Sequence, residues 1–423
     1  MNSQKFLKFS FLLKCAVIVL CQNVFFFNNI KPVNAQISGV SDTVCRELVS
    51  AGFENVFVSE VEGTIVIGYE NRRFRFEPKG CSEVMKIIDQ VVEQDRDIML
   101  IIFRNKIPLL FIEYNTLSFS NFISNKISSN EFFEELQVAS EKPEFEKYKA
   151  VRTNRSEFKA DVALGPNVSL QFGDWDRNVQ SNINLIPELN TMLTKGLTLT
   201  AQALVPLYNN FLIPEQAETQ IRPGIIALNQ MIRLEDNVFL NASLGYFTRS
   251  RAGFDIELRK YFGEGNFSLS LNTGYTVYKS FSPKLIEYFE DDNYFTGIVS
   301  AEYRYCPYDL TFGVKAGNFL YNNIAARFDL LRQFGELKIG FFATVTKSSD
   351  FNGGFNFSIP LPPGKYMRIK YLRVRQSKDF SLEYRAKGFS KSVGTYDTGS
   401  QLYNILMEYN ADFFKKRLIK ELF

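Results

Sequence analysis

A set of charged residues recurs at alternate positions of otherwise apolar runs: Asp255, Glu257 and Arg259; Glu302 and Arg304; Lys315; Arg327 and Asp329; Lys338; Glu383 and Arg385. At a spacing of two they share one face of a strand, and there they could do three kinds of chemistry. Glu257 and Glu302 could act as the carboxylate pair of a glycan hydrolase. Cations and anions along a common wall could set the field of a small-solute pore. Arg and Lys interleaved with Tyr could hold a carbohydrate, charged groups bonding its hydroxyls while rings cover its apolar faces. The hydrolase is the weakest of the three, because interior charge in a barrel ordinarily sets a field or forms a neutralising network. The chain has no histidine, which removes Ser-His-Asp and Cys-His nucleophile systems and imidazole-ligated zinc together. No GxSxG, phosphate-binding loop or dinucleotide fingerprint is present. Gly313, Gly317, Gly353 and Gly354 read as bends or bulges in strands rather than as phosphate cradles. The expectation is a protein with no catalytic residues, no metal and no cofactor.

The elements that must carry these charges are strands. From about residue 160 the apolar period is two. Val238, Leu240, Ala242, Leu244 and Tyr246 alternate with Asn241, Ser243 and Gly245, and Phe254, Ile256 and Leu258 with Asp255, Glu257 and Arg259. Phe267, Leu269 and Leu271 face away from Ser268, Ser270 and Asn272; Leu337, Ile339, Phe341 and Val345 face away from Lys338, Gly340 and Thr344. A soluble β-sandwich gives the same alternation. Here, though, the apolar faces are rich in rings, as a composition of 42 Phe and 20 Tyr but 1 Trp requires, and lipid-facing strands use such rings. Tight turns at Arg249-Ser250-Arg251 and Gly263-Glu264-Gly265 contrast with longer polar connections at Asn209–Arg222 and Ser280–Asn293. The expected fold is mainly β: a transmembrane antiparallel barrel of about 12–14 strands over residues 159–392, lining its interior with the charges named above.

Residues 1–35 read as a signal peptide: Lys5, Lys8 and Lys14 precede an apolar run from Cys15 to Phe27, and Val33-Asn34-Ala35 ends in a small residue. The other reading is a retained anchor, disfavoured by Gln22 and Asn23 within the run. Residues 36–115 read as a small periplasmic α+β domain of order αββαββ. Its helices start at Ser41 or Asp42 and at Ser82, and its strand runs are Asn55–Val61, Thr64–Tyr69, Ile98–Phe103 and Leu109–Tyr114. Residues 116–158 read as a linker, with a short helical stretch near Glu131–Leu136, and residues 393–423 as a helical tail with Leu402, Ile405, Leu406, Tyr409, Phe413, Phe414 and Leu418 on one face. An oxidising periplasm would permit a disulfide between Cys45 and Cys81, leaving Cys306 free; two buried thiols are the equal alternative. A net charge of +3 with no basic stripe excludes nucleic acid as a partner.

Three stretches carry a family resemblance: NVFLNASLGYFTRSRAGFDIELRKYF (237–262), the block from Tyr294 through FNGGFNFSIPLP (351–362), and TGSQLYNILMEYNADFF (398–414). With LVSAGFENVFVSEVEGTIVIGYENRRFR (48–75) and GDWDRN (173–178), the chain resembles the YjbH/GfcD outer-membrane proteins of exopolysaccharide and group 4 capsule systems. The resemblance implies location in the outer membrane with the N-terminal domain in the periplasm, and a role in export or maturation of an extracellular polysaccharide. Implied partners are outer-membrane lipid, the polysaccharide chain and export proteins. It brings no catalytic residue. Longer relatives hold more than one copy of these parts, whereas the expectation for this chain is one small domain and one barrel.

Overall fold

The structure is a computed structural model; it describes residues 39–92, 95–141, 152–172, 179–210, 220–235, 237–282, 285–348, 351–385 and 394–422. The expected signal peptide and the GDWDRN segment lie outside the described residues.

The first unit opens with α1 (Gly39–Ala51), β1 (Glu54–Val61), β2 (Thr64–Glu70), α2 (Glu77–Val91), β3 (Asp97–Arg104) and β4 (Ile107–Asn115). Local chemistry accounts for the boundaries. Gly52, at φ +101°, ends α1 in a conformation that favours glycine. Pro78 lies in the first turn of α2, where no backbone donor is lost. The first part of the segment read as a linker carries regular elements. Asn115 caps α3 (Thr116–Ile123) by accepting from Leu117 and Ser118, and Ser128 with Glu131 forms a capping box on α4 (Ser129–Glu135). β5 (Gln137–Ala139) then joins the sheet, whose order is β1-β2-β3-β4-β5 with β2 and β3 parallel. One face of this sheet and the two long helices share a core of Leu48, Ile67, Val84, Ile88, Leu100 and Ile112, all fully buried.

Cys45 and Cys81 are free thiols, so the disulfide alternative is not realised. The thiols face different surroundings: Cys45 Sγ lies 3.3 Å from Thr153 Oγ1, while Cys81 is fully buried in the core with Tyr69. Burial and the nearby Glu77 charge leave its thiol far above the usual range despite a Tyr69 hydrogen bond.

The second unit is a 15-stranded sheet. Its strands are β6 (Ala160–Phe172), β7 (Val179–Thr194), β8 (Leu197–Asn209), β9 (Arg222–Glu235), β10 (Val238–Phe247), β11 (Arg251–Phe262), β12 (Phe267–Ser282), β13 (Leu285–Tyr305), β14 (Leu310–Phe319), β15 (Asn323–Phe334), β16 (Leu337–Thr346) and β17 (Phe351–Pro360), followed by β18 (Met367–Ile369), β19 (Leu372–Gln376) and β20 (Asp379–Arg385). From β6 to β17 each strand pairs antiparallel with the next. The polar stretch Ser280–Asn293, expected as a loop, is instead ladder: Lys279 pairs with Tyr288 and Ser282 with Leu285. Polar composition misled there because hairpin ends need no buried face. The sheet's two ends are tied by one stretch of chain. β19 pairs parallel with the start of β6, Leu372 opposite Ala160 and Gln376 opposite Leu164, and β20 pairs antiparallel with β17, Asp379 opposite Pro360.

The faces of this sheet are inverted relative to a soluble one. Val299 is 57% exposed and Phe341 61%, whereas Arg259 is 3% and Glu302 7% exposed. Leu269, Leu271, Phe312, Val314, Phe328, Leu330 and Phe355 stand outward with them. No helix of the described residues is long and apolar enough to cross a membrane, which bears only on helical spans.

The chain ends in α5 (Leu402–Leu406), a 3₁₀ turn at Met407–Tyr409 and α6 (Ala411–Leu422).

Candidate functional site

The polar face of the large sheet encloses the C-terminal segment, and the charged residues read from the sequence meet it there. Residues opposite one another in an antiparallel ladder share a face, so Glu257 opposite Asn272, Arg259 opposite Ser270 and Ser268 opposite Glu302 bring β11, β12 and β13 into one polar wall. Arg259 is its hub. Its Nε lies 3.2 Å from Glu257 Oε1, its Nη groups donate to Ser268 at 3.1 Å and Ser270 at 3.2 Å, and it forms an ion pair with Glu302. Glu257 and Glu302 therefore converge on a single guanidinium. A charge buried this deeply persists only when paired and hydrogen-bonded.

The C-terminal segment is fixed to the same wall. Asp255 accepts from Tyr396 Oη at 2.9 Å and from Asn272 at 2.8 Å. Asn241 donates to the Ser400 carbonyl at 2.8 Å, Glu257 Oε2 accepts from the Leu402 backbone at 2.8 Å, and Arg304 donates to the Met407 carbonyl at 2.9 Å. The Arg304 guanidinium also stacks 4.4 Å from the Phe413 ring centre. The segment runs lengthwise. Gly394 bridges to Leu320, and Thr248 in the β10–β11 turn donates to the Asp397 carbonyl, both at one end of the strands. Asn410 donates to the Gly265 carbonyl in the β11–β12 turn at the other end.

Across the interior, Arg327 pairs with Asp329 at 2.8 Å and with Glu383 at 2.9 Å, and Lys315 lies 3.9 Å from Asp329. These four, with Lys338, line a chamber of about 530 Å³ between β14–β17, β20 and the C-terminal segment. A smaller cavity of about 130 Å³ lies on the segment's other side, and Tyr403 and Gln401 border both. Thus Asp255, Glu257, Arg259, Glu302 and Arg304 meet around the C-terminal segment, and Lys315, Arg327, Asp329, Lys338 and Glu383 around the chamber. The side chain of Arg385 lies outside the described residues. The described residues hold no group of three or more acidic or Cys residues placed to bind a metal ion.

One end of the sheet is covered by the first unit and α6. Met231, Phe239, Leu406, Tyr409, Phe414 and Leu418 belong to the same buried cluster as α2 and β4. Ion pairs cross this junction: Arg373, itself held by Asp161 at 2.5 Å within the sheet, reaches Glu54 at 2.6 Å, Arg75 reaches Glu336 at 2.6 Å, and Lys378 reaches Glu408 at 2.6 Å. Gly196, at φ +73°, lets the β7–β8 turn approach; its amide donates to the Asn105 carbonyl at 2.9 Å. Burial would raise the Glu70 carboxyl, but the Arg72 charge and donors from Asn105 and Asn55 hold it below the usual range. Glu77 behaves oppositely: burial pushes it up to about 7, although Asn71 donates to it. Leu406, Tyr409, Phe414 and Leu418 were expected on one face of the tail, whereas none of the ion-paired junction residues was singled out from the sequence. Arg75 and Arg373 reach Glu336 and Glu54, 261 and 319 residues away, and no local spacing marks them.

An inside-out, mainly β sheet carrying a polar interior, an α+β unit and C-terminal helices defines a class by itself. Within that class, the family model described as exopolysaccharide biosynthesis protein YbjH matches residues 28–365. The chain belongs to the YjbH family, and the match supports a role in exopolysaccharide biosynthesis. The match takes in the first unit and the sheet through β17, whereas β18–β20 and the C-terminal helices lie past its end. No curated protein and no solved structure matches the chain.

Proposed function

We propose that this protein is an outer-membrane β-barrel that assists export or maturation of an extracellular polysaccharide, with its first unit on the periplasmic side. The observation that carries the reading is the inverted sheet: rings and aliphatic side chains outward, ion pairs inward. In water such a sheet would leave a continuous apolar girdle exposed at large cost; in lipid the same girdle is the favourable surface. The β19–β20 stretch supports reading the sheet as a closed barrel: one half hydrogen-bonds to the first long strand and the other half to the last. A closed sheet leaves no unpaired edge, as the hydrocarbon interior demands. Short turns in such barrels face the periplasm. The first unit packs over the turns at Lys195-Gly196, Gly263–Asn266 and Gly335-Glu336, which supports reading that end as the periplasmic one.

The family's role in exopolysaccharide biosynthesis supplies the cargo class, and the wet, charged interior suits a hydroxyl-rich chain. The small-solute porin reading is disfavoured by the C-terminal segment, which occupies the interior from end to end. Deletion of the gene followed by quantitation of surface and secreted glycan tests the proposal. Loss of glycan, restored by the intact gene, is expected; undiminished glycan of normal length overturns it. Fractionation of the envelope, with expected recovery in the outer membrane, tests the location separately.

A further inference from the structure

We infer that the chamber between the C-terminal segment and the β14–β17/β20 wall is a lengthwise binding groove for a neutral or sparsely charged saccharide chain. The inference rests on the polysaccharide reading above and adds to it a place and a ligand class. Three observations carry it.

The first is shape. The chamber holds about 530 Å³, within the range of roughly 300–1,000 Å³ of small-molecule sites. It runs along the strands. Glu336 and Pro360 border it at the end covered by the first unit, and Asp397 borders it at the other. A groove parallel to the axis that a polymer must follow can hold several linked rings at once.

The second is the chemistry of its walls. Drug-like ligands seek mostly apolar linings, whereas polar atoms make up about half of this one: Lys315, Arg327, Lys338 and Lys378 stand among seven carboxylates that include Asp329, Asp379 and Glu383, beside Asn356, Ser358 and Gln401. A pore selective for anions or cations presents one sign. Here both signs alternate and several are already paired, as in Arg327 with Asp329 and Glu383. A ligand rich in hydroxyls, each able to donate to a carboxylate and accept from a cation, satisfies such a wall without carrying net charge itself.

The third is asymmetry. The C-terminal segment is hydrogen-bonded to β10, β11 and β13 through Asn241, Glu257 and Arg304, while toward the chamber wall the bond from Lys378 to Glu408 stands at the periplasmic end. The segment therefore forms one fixed side of the groove, and its Tyr403 and Asn404 contribute to the lining.

The test uses the full-length protein in detergent and oligosaccharides of about six sugars cut from the cell's own secreted polysaccharide, titrated calorimetrically. Gly313 lines the chamber, and a Cβ there would meet Asp329 and Glu302 only at 3.6 Å, an ordinary contact. Gly313→Phe therefore fills the groove without forcing the backbone. Asn356→Leu, close in volume, removes an amide from the same wall. Ala316→Leu, on the outward face of β14, is the control. Saturable binding is expected, weakened about tenfold or more by Gly313→Phe and about fivefold by Asn356→Leu, with Ala316→Leu as wild type. Affinity is expected to change less than about threefold between 0.05 and 0.5 M salt, since hydroxyl contacts are not screened as ionic ones are. Absence of saturable binding, equal binding by the chamber and control variants, or a tenfold fall with salt each overturns the inference. Glycan lost on gene deletion with no binding to the purified protein sinks the groove and leaves the export reading. Binding at the groove with glycan undiminished in the deletion strain does the reverse.

Discussion

At the scale of single residues the interior is governed by the cost of unpaired charge. Arg259 pairs with both Glu257 and Glu302, so Arg259→Met leaves two buried carboxylates facing each other's field. Removing one partner of a buried pair costs about 3–5 kcal/mol, and the expected outcome is a large fall in the unfolding midpoint of the detergent-solubilised protein. Adding Glu302→Gln to Arg259→Met is expected to recover part of the loss. A double variant worse than the single would show that the pair is not the unit that matters. Glu77, at the junction of α2 with the Met407–Tyr409 turn, gives a pH dependence of unusual sign. Its carboxyl is raised from 4.5 to about 7 in the folded chain by burial, so between those values the folded state holds a proton that the unfolded state has lost. Its contribution to stability therefore falls as pH rises from about 4.5 to about 7 and is level above that. The shift corresponds to about 3 kcal/mol. Glu77→Gln is expected to flatten the thermal unfolding midpoint across that window and raise it above pH 7. An unchanged pH profile would mean that another group sets the slope.

At the scale of elements, the C-terminal segment and the junction decide what the interior can do. Phe413 and Phe414 are fully buried, Phe414 in the cluster shared with α2 and β4. Phe414→Ala is expected to cost about 3–5 kcal/mol and to release α6 to protease before the sheet is cut. Truncation after Gly394 removes the segment from the interior and, in planar bilayers, is expected to raise conductance at least tenfold over the full chain; equal conductance would mean that the segment does not block passage. The sequence's period of two was enough to place the strands and to say which side carried charge, because alternation is set by local geometry. It marked residues 400–423 as helical and apolar on one face. It had no means of placing them inside the sheet: the bonds that do so join Glu257 to Leu402 and Asn241 to Ser400, 145 and 159 residues apart. Of the stretch from α3 to β5, the helix near Glu131–Leu136 was expected, while α3 and β5 were missed for a different reason. The stretch's signals are caps at Asn115 and Ser128, short and easily lost among the polar residues of a linker.

At the scale of the whole molecule, the two units and the tail form one interlocked body, and its orientation follows from which surface each solvent prefers. The α+β unit buries a conventional core and takes its charges outward or into the junction, as in Arg96 with Glu60. The large sheet does the opposite, and the alternation that suggested strands does not by itself say which face meets water; aromatic richness, the signal-like N-terminus and the turn lengths were the sequence's hints. The two solvents can be told apart with one pair of substitutions on β13. Val299 points outward in the second half of β13 and is 57% exposed, while Ser300, its neighbour, points inward beside Lys315. If the outer face meets lipid, Val299→Arg costs about 2–4 kcal/mol at the bilayer midplane, whereas an exposed Arg on a water-facing sheet is nearly free. The expected outcome is a marked loss of folding into phospholipid vesicles for Val299→Arg, read by heat-dependent gel mobility. Val299→Leu is expected to fold as wild type, and Ser300→Asn, on the wet side, to be tolerated. Should Val299→Arg insert as efficiently as Val299→Leu, the outward rings and aliphatic chains would have to be covered by protein rather than lipid, and the barrel reading would give way to an assembly of sheets.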